Sequence, residues 1–584
     1  MNETHTERRS ARWLFVVLLS IFVLGGQGGI VNPDAEVELQ TARALWLRGS
    51  AALSDKHADA STSELGIVNF VPGPGRRGFD CMRGIDGNYY SWFGIGHAIV
   101  LVPFYAAGRA LDAAFAEVSR AGLENAVADA KALGANAGYT RALSEEFFAH
   151  LLASLHSAIF AAGLGLVIFL ALGHLGLSLR SRVIAVLIAC LTTQLWPGTR
   201  EGMSDVTAGF FLVASFERVL AWSLRGASSA SLVVAGISSG ISIACRPAQL
   251  VAVVALSIYV VVTCWRRLSA EARWRDPMPV LRSALAFGLP IVAFLIELAV
   301  FNEARFGDIR EFGYTAGTSD GYWNFPWHLG VLFLLASPGK GALVFCPLLA
   351  IVPATFWIVR RGVRLELMLA AAILVFPWFL HAKMTGWHSS QAWAARYMTV
   401  GAVLVIAIAV AFVFDRFPRA SKVRRVLPWL AAAGFVINLG GILTPYRGFY
   451  DLGQTASVER FRDVDPSEDL FQRIVLTPRL SPAIGHWLYA YENARGRVPA
   501  KTPEDAARSW STIYGVVPKT DGGEVLPQTL QFVDDRDFRH VWPIGFARRF
   551  RSYVPIGLAL VLIAALVAAA FALRRSVRAA PGRD

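Results

Sequence analysis

Charge is what this chain has least of. Only 17% of its 584 residues are Asp, Glu, Lys or Arg, against 54% that are hydrophobic, and the mean hydropathy is +0.45. Soluble domains are about a quarter charged, so a soluble globular fold is excluded and an integral membrane protein is expected. Cysteine is scarce too. Cys81, Cys190, Cys245, Cys264 and Cys346 show no metal-ligand spacing, and four of them lie in or beside apolar segments, so no disulfide framework can be argued. Internal repeats, low-complexity tracts, a Ser/His/Asp pattern and nucleotide or redox-cofactor fingerprints are also missing, which leaves hydrolytic and redox chemistry without support.

What the chain does have is apolar runs near the roughly 20 residues a bilayer crossing requires. They place spans at 13–31, 147–172, 182–198, 205–224, 230–246, 247–265, 280–301, 342–360, 366–381, 397–415, 424–444 and 553–573. The fold class is therefore an all-α polytopic membrane protein of about 12 spans. The net charge of +13 sits mainly in short basic clusters beside these runs, a pattern that sets orientation and meets anionic lipid headgroups, so nucleic acid is not expected. Arg8, Arg9 and Arg12 precede a first run too long for a cleaved signal peptide, and Arg574, Arg575 and Arg578 follow the last. Both termini are then cytoplasmic in an inner (plasma) membrane. Between 231 and 264 the apolar stretch is too long for one span, and Arg246-Pro247 marks the turn inside it.

Three units follow: a membrane body over 1–444 with a first outer loop at 32–146, an outer loop or small cap at 445–552, and a final span with a basic tail at 553–584. Within the first loop, 35–53 reads as an amphipathic helix on the bilayer, with Glu36, Glu38, Arg43 and Arg48 on its polar side. The run 93–111 is assigned to a second surface or half-inserted helix, because two consecutive spans would force polar 113–146 through the membrane.

Candidate chemistry centres on Asn32-Pro33-Asp34-Ala35-Glu36-Val37-Glu38, just beyond the first span. An acid there can be a surface charge or, after Pro33, an N-cap. Three acids in five positions favour a reaction site, with Asp34 accepting a proton from an attacking hydroxyl or sharing a divalent cation with Glu36. Asp34 and Glu38, four apart, fall on one helical face, with Glu36 pointing elsewhere. Lys340, in Ser337-Pro338-Gly339-Lys340-Gly341, suits a phosphate because its glycines expose backbone amides, although the spacing is not that of a nucleotide P-loop and a snorkelling lysine is the alternative. Tyr89, Tyr90, His97, Arg200, Glu201, Asp205, Arg246, His381, His388 and Arg396 are the other polar groups expected on that side. Basic and aromatic groups of this kind suit a phosphate and a sugar ring.

The order of these features resembles the family C (GT-C) glycosyltransferases, the membrane enzymes related to protein O-mannosyltransferases and the lipid A aminoarabinose transferase. The matching stretches are Asn32-Pro33-Asp34-Ala35-Glu36, Tyr89-Tyr90-Ser91-Trp92-Phe93-Gly94-Ile95-Gly96, Leu195-Trp196-Pro197-Gly198-Thr199-Arg200 leading to Asp205, Arg246-Pro247, the Lys340 turn, and Trp393-Ala394-Ala395-Arg396-Tyr397. The resemblance implies a GT-C-like helical bundle and an inverting transfer from a polyprenyl-phosphate sugar to a lipid, glycan or protein acceptor. It further implies Asp34 as base, Glu36 as a second acid, and Lys340, Arg396 and Arg200 on the donor phosphate. Adjacent Asp-Glu after the first span, found in the mannosyltransferases, is missing, which leaves a divalent metal open. A transporter or flippase of lipid-linked saccharides is the leading alternative and a non-catalytic envelope assembly protein the second. Pseudo-repeated halves, expected of a transporter, are not seen in the sequence.

Overall fold

The computed structural model describes residues 3–30, 32–54, 77–78, 81–121, 146–268, 278–311, 323–359, 362–389, 392–444, 470–495, 502–514 and 542–579. Long helices dominate them: α1 (Glu3–Gly25), α2 (Pro33–Arg48), α3 (Ile95–Ala114), α4 (Phe147–His174), α5 (Leu179–Leu191), α6 (Ser204–Arg225), α7 (Ser229–Cys245), α8 (Leu250–Arg267), α9 (Met278–Phe306), α10 (Arg364–Ala382), α11 (Thr399–Arg416), α12 (Lys422–Leu443) and α13 (Val554–Arg578). Three short antiparallel strands, Arg77–Gly78, Cys81–Arg83 and Tyr89–Ser91, pair in sequence order ahead of α3.

Among the described residues eight helical segments are long and apolar enough to cross a membrane, as befits a multi-pass membrane protein. Four of the twelve expected spans fall short of that standard, each for a local reason. α1 ends at Gly25 instead of 31. In the 182–198 region α5 stops at Leu191, where Thr192 and Thr193 turn their hydroxyls back onto the Ile188 and Ala189 carbonyls. α7 has 17 residues. The 342–360 run is broken by Pro347 into a four-residue helix, a 3-10 turn and Val352–Val359.

α11 is the axis of the bundle: every residue from Val400 to Val413 is buried, and α5, α6 and α10 pack around it. A helix that is apolar on all sides belongs in such a core. α9 and α13, by contrast, keep long apolar faces exposed, the condition of helices bordering lipid. The expected turn lies at Arg246, which is extended (φ −151°, ψ 99°) before Pro247 opens a 3-10 turn into α8.

The surface-helix expectation for 35–53 does not hold. α2 ends at Arg48 against Gly49 in the left-handed region, and from Ala35 to Ala44 it is buried throughout, Glu36, Glu38 and Arg43 included. Its acids and arginine are inward because α3 and α4 offer them partners: His97, His150 and Glu146. α3 reaches this position through glycine, since a Cβ on Gly94 or Gly96 would collide with the Ala244 backbone at the end of α7. In the region 445–552, Ile474, Val475, Leu480, Tyr489, Trp510, Ile513 and Tyr514 join the main core cluster; residues 445–469, 496–501 and 515–541 lie outside the described residues.

Candidate active site

Asn32 caps α2: its side-chain oxygen accepts the Asp34 amide at 2.9 Å. The N-cap role open to Asp34 therefore belongs to its neighbour. Asp34 sits in the first turn, where a negative charge is favoured, and its side chain is 21% exposed. Its Oδ2 lies 3.1 Å from Nη2 of Arg396, across 362 residues of sequence.

Around this pair the other loops converge. Met203 contacts both the Asn32 amide and the Arg396 guanidinium. Asp205, at the start of α6, pairs with Arg246, and Arg246 and Arg396 both lie over the Tyr397 ring, at 5.2 and 5.4 Å. His381 stacks on the same ring, with centroids 4.0 Å apart and planes 15° from parallel. Two guanidiniums therefore lie over one aromatic ring, each paired with a carboxylate; Asp34, Arg246 and Arg396 are partly exposed and Asp205 is buried.

A second layer holds Arg396 in place through its backbone. Glu201 Oε1 accepts the Trp393 amide at 2.9 Å, Lys340 Nζ donates to the Ala392 carbonyl, and Gln194 donates to the Ala395 carbonyl at 2.8 Å and to Thr399 Oγ1 at 2.9 Å. Ala394, between these anchors, has φ of 54°, a left-handed conformation unusual for alanine and typical of segments held by their surroundings. Burial pushes Glu201 up to about 7, with Arg396 and the Trp393 amide opposing it. Burial likewise holds Lys340 well below the usual lysine range.

Several expected placements need correction. Lys340 is fully buried, and its turn is closed: the Gly339 amide donates to Val475 and the Gly341 amide to Ser337. Lys340 thus supports the segment carrying Arg396, and the neighbouring amides have protein partners. Arg200 is also buried and donates to the Gly441, Ile442 and Thr444 carbonyls at the end of α12, a helix C-terminus that attracts a cation. Glu36 does not join Asp34, because Oε1 is held by Gln40 at 2.7 Å and His150 at 3.2 Å. The two acids proposed to share a cation thus face different partners. Among the described residues no group of three or more His, Cys, Asp or Glu is arranged to hold a metal ion.

His97 belongs to a separate buried cluster: its Nδ1 is 2.8 Å from Glu38, and its Nε2 is 2.9 Å from His156 Nε2. Tyr90 donates to Asp86 at 2.7 Å, and burial with that bond pushes the phenol up to about 12. Tyr89 pairs with Arg83 in the small sheet, and His388 packs edge-on against Trp387. The residues brought together are therefore Asp34, Glu201, Asp205, Arg246, Lys340, His381 and Arg396. His150 and His156 were not legible as polar partners, since both fall within a run that reads only as an apolar span. Met203 and Gln194 carry no sequence signal of their own.

No family model and no curated protein matches the chain. Among solved structures it is similar to ArnT from Cupriavidus metallidurans bound to undecaprenyl phosphate, at 14% identity over 91% of this chain and 84% of that one, with a TM-score of 0.43. It is also similar to the Archaeoglobus fulgidus oligosaccharyltransferase in the apo form, at 12% identity over 87% and 68% of the two chains, with a TM-score of 0.37.

Proposed function

We propose that the chain is a family C glycosyltransferase that moves a sugar from a polyprenyl-phosphate donor to an acceptor hydroxyl at the outer face of the membrane, with inversion at the anomeric carbon. The observation that carries this reading is the Asp34–Arg396 pair: a carboxylate and a guanidinium, both partly exposed, joined at 3.1 Å beside a second, more buried pair, Asp205 with Arg246. A lipid-linked phosphate needs charge neutralisation as it departs, and an attacking hydroxyl needs a base. This site offers both within one contact.

The acceptor oxygen bonds to the anomeric carbon as its proton passes to Asp34. The bond from that carbon to the phosphate oxygen breaks, and the lipid phosphate leaves with the electron pair. Arg396 and Arg246 take the phosphate charge, since guanidinium geometry matches phosphate oxygens. A phosphate arriving at Arg396 competes with Asp34 for the same guanidinium and so frees a carboxylate oxygen towards the acceptor. Lys340, Glu201 and Gln194 act as positioning residues that fix the 392–396 backbone, and Tyr397 gives the Arg246 and Arg396 guanidiniums a rigid face.

The test is sugar transfer by the purified chain in lipid, with a panel of polyprenyl-phosphate sugars and cell-envelope extract as acceptor. Wild type is expected to transfer, Asp34→Asn to bind donor without transferring, and Arg396→Lys to bind donor weakly. Donor turnover by Asp34→Asn equal to wild type would remove Asp34 as the base.

A further inference from the structure

At the end of the bundle away from Asp34, the start of α1, the α4–α5 connection and the ends of α6 and α13 surround a cavity of about 1280 Å³. α4 alone separates the two ends by roughly 42 Å at 1.5 Å per residue. Five arginines line the cavity, Arg180, Arg182, Arg225, Arg574 and Arg578, against one carboxylate, Glu7. Like charges so gathered repel unless an anion lies among them. Helix C-termini explain part of the pattern: Arg225 donates to the Gly173 carbonyl at 2.6 Å. They do not explain Arg180 and Arg182, which stand in the first turn of α5, where the helix dipole favours an anion instead. Arg182 is 6% exposed, pairs with Glu7 at 2.6 Å through Nη1, and keeps a buried Nε with no hydrogen-bond partner among the described residues. The rest of the wall is largely apolar helix surface, Leu187 and Leu573 included.

We propose that this cavity binds an anionic phospholipid of the bilayer, with its phosphate among Arg180, Arg182, Arg574 and Arg578 and its chains along the apolar wall. The charge selects an anion, the apolar lining selects one with hydrocarbon attached, and the volume exceeds the roughly 300–1,000 Å³ typical of small-molecule pockets. Basic pockets between membrane helices recognise lipid headgroups in this way. The site shares no residue with the Asp34 cluster, so it stands whether or not the proposed transfer does.

The experiment reconstitutes the full chain in phosphatidylcholine bilayers containing phosphatidylglycerol, extracts it in mild detergent, and counts retained lipid by native mass spectrometry. Wild type is expected to keep phosphatidylglycerol in preference to phosphatidylcholine. The triple variant Arg180→Gln, Arg574→Gln, Arg578→Gln changes exposed positions and is expected to lose it on the order of a hundredfold, from about a decade or less per arginine. The triple Lys variant at the same positions is expected to restore retention, and the single Arg578→Glu gives a second measurement if the Gln triple misfolds. Retention unchanged in Arg578→Glu and the Gln triple overturns the proposal. Displacement of the lipid by inorganic phosphate alone also overturns it, by making a free phosphate the ligand.

Discussion

Two polar clusters lie along α2, and they are built on different principles. At its first turn, Asp34 meets an arginine and both side chains remain partly exposed. About 3 and 6 Å further along the axis, Glu36 and Glu38 meet His150 and His97, with every side chain nearly or fully buried. A carboxylate facing solvent and a guanidinium can exchange its partner for a ligand. A carboxylate sealed between two helices can only hold them together, since leaving either charge unpaired there costs several kcal/mol. Acidic residues on one helix therefore stand open to exchange at one position and sealed into packing at the other, and the spacing of 34 and 38 on one helical face does not distinguish them.

Substitutions at the two clusters should separate along that line. Asp34→Asn is expected to lower transfer by about 10²–10⁴-fold, the usual contribution of a positioned general base, with thermal stability in detergent close to wild type. Glu38→Ala is expected to do the reverse: a loss of about 3–5 kcal/mol from breaking a buried pair, seen as a lowered Tm, with transfer by the surviving folded fraction retained. If Asp34→Asn unfolds the chain and Glu38→Ala does not, the assignment of the two clusters is reversed. Arg396→Lys keeps the charge and loses the fork, so donor KM should rise about ten- to a hundredfold from the loss of one charged hydrogen bond, with a smaller change in kcat.

The supporting layer makes a pH-dependent contribution of known sign. Glu201 has an unfolded value of 4.5 and a folded one of about 7, so the folded chain binds its proton more tightly. That contribution is complete below pH 4.5 and is lost as pH rises through 7. Wild-type Tm should therefore fall across that window relative to Glu201→Gln, whose amide oxygen can still accept the Trp393 amide. Parallel Tm profiles for the two proteins would mean that Glu201 is ionised in the fold.

Much of the fold was legible because membrane helices are written in composition: α4, α6, α8, α9, α10, α11, α12 and α13 each correspond to an apolar run. Asp34, Asp205, Arg246 and Arg396 were legible for a related reason, since charge at the edge of such a run is conspicuous. What the sequence concealed was direction. Lys340 between two glycines looks like an exposed phosphate cradle, yet Val475 and Ser337 close its amides and Ala392 takes its ammonium. Glu36 and Glu38 look like the outer side of a surface helix until His97 and His150 are placed opposite them. Partners more than 50 residues away decide which way a charge turns, and no local pattern encodes them.

The smallest expected effect tests whether the 392–396 segment is held under strain. Ala98, in α3 beside His97, is buried in regular helix. Its replacement by glycine should cost about 1 kcal/mol in helix propensity and a further ~0.8 kcal/mol for the lost methyl. Ala394 is equally buried but has φ of 54°, where an L residue is penalised by about 1–2 kcal/mol that glycine escapes. Ala394→Gly loses the same methyl and regains much of that penalty, so its stability should lie within about 1 kcal/mol of wild type. The donor KM should rise nonetheless, because the Cβ that limits the backbone on the approach to Arg396 is gone. An Ala394→Gly protein destabilised as much as Ala98→Gly would mean that the anchors at Glu201, Lys340 and Gln194 hold the segment without strain.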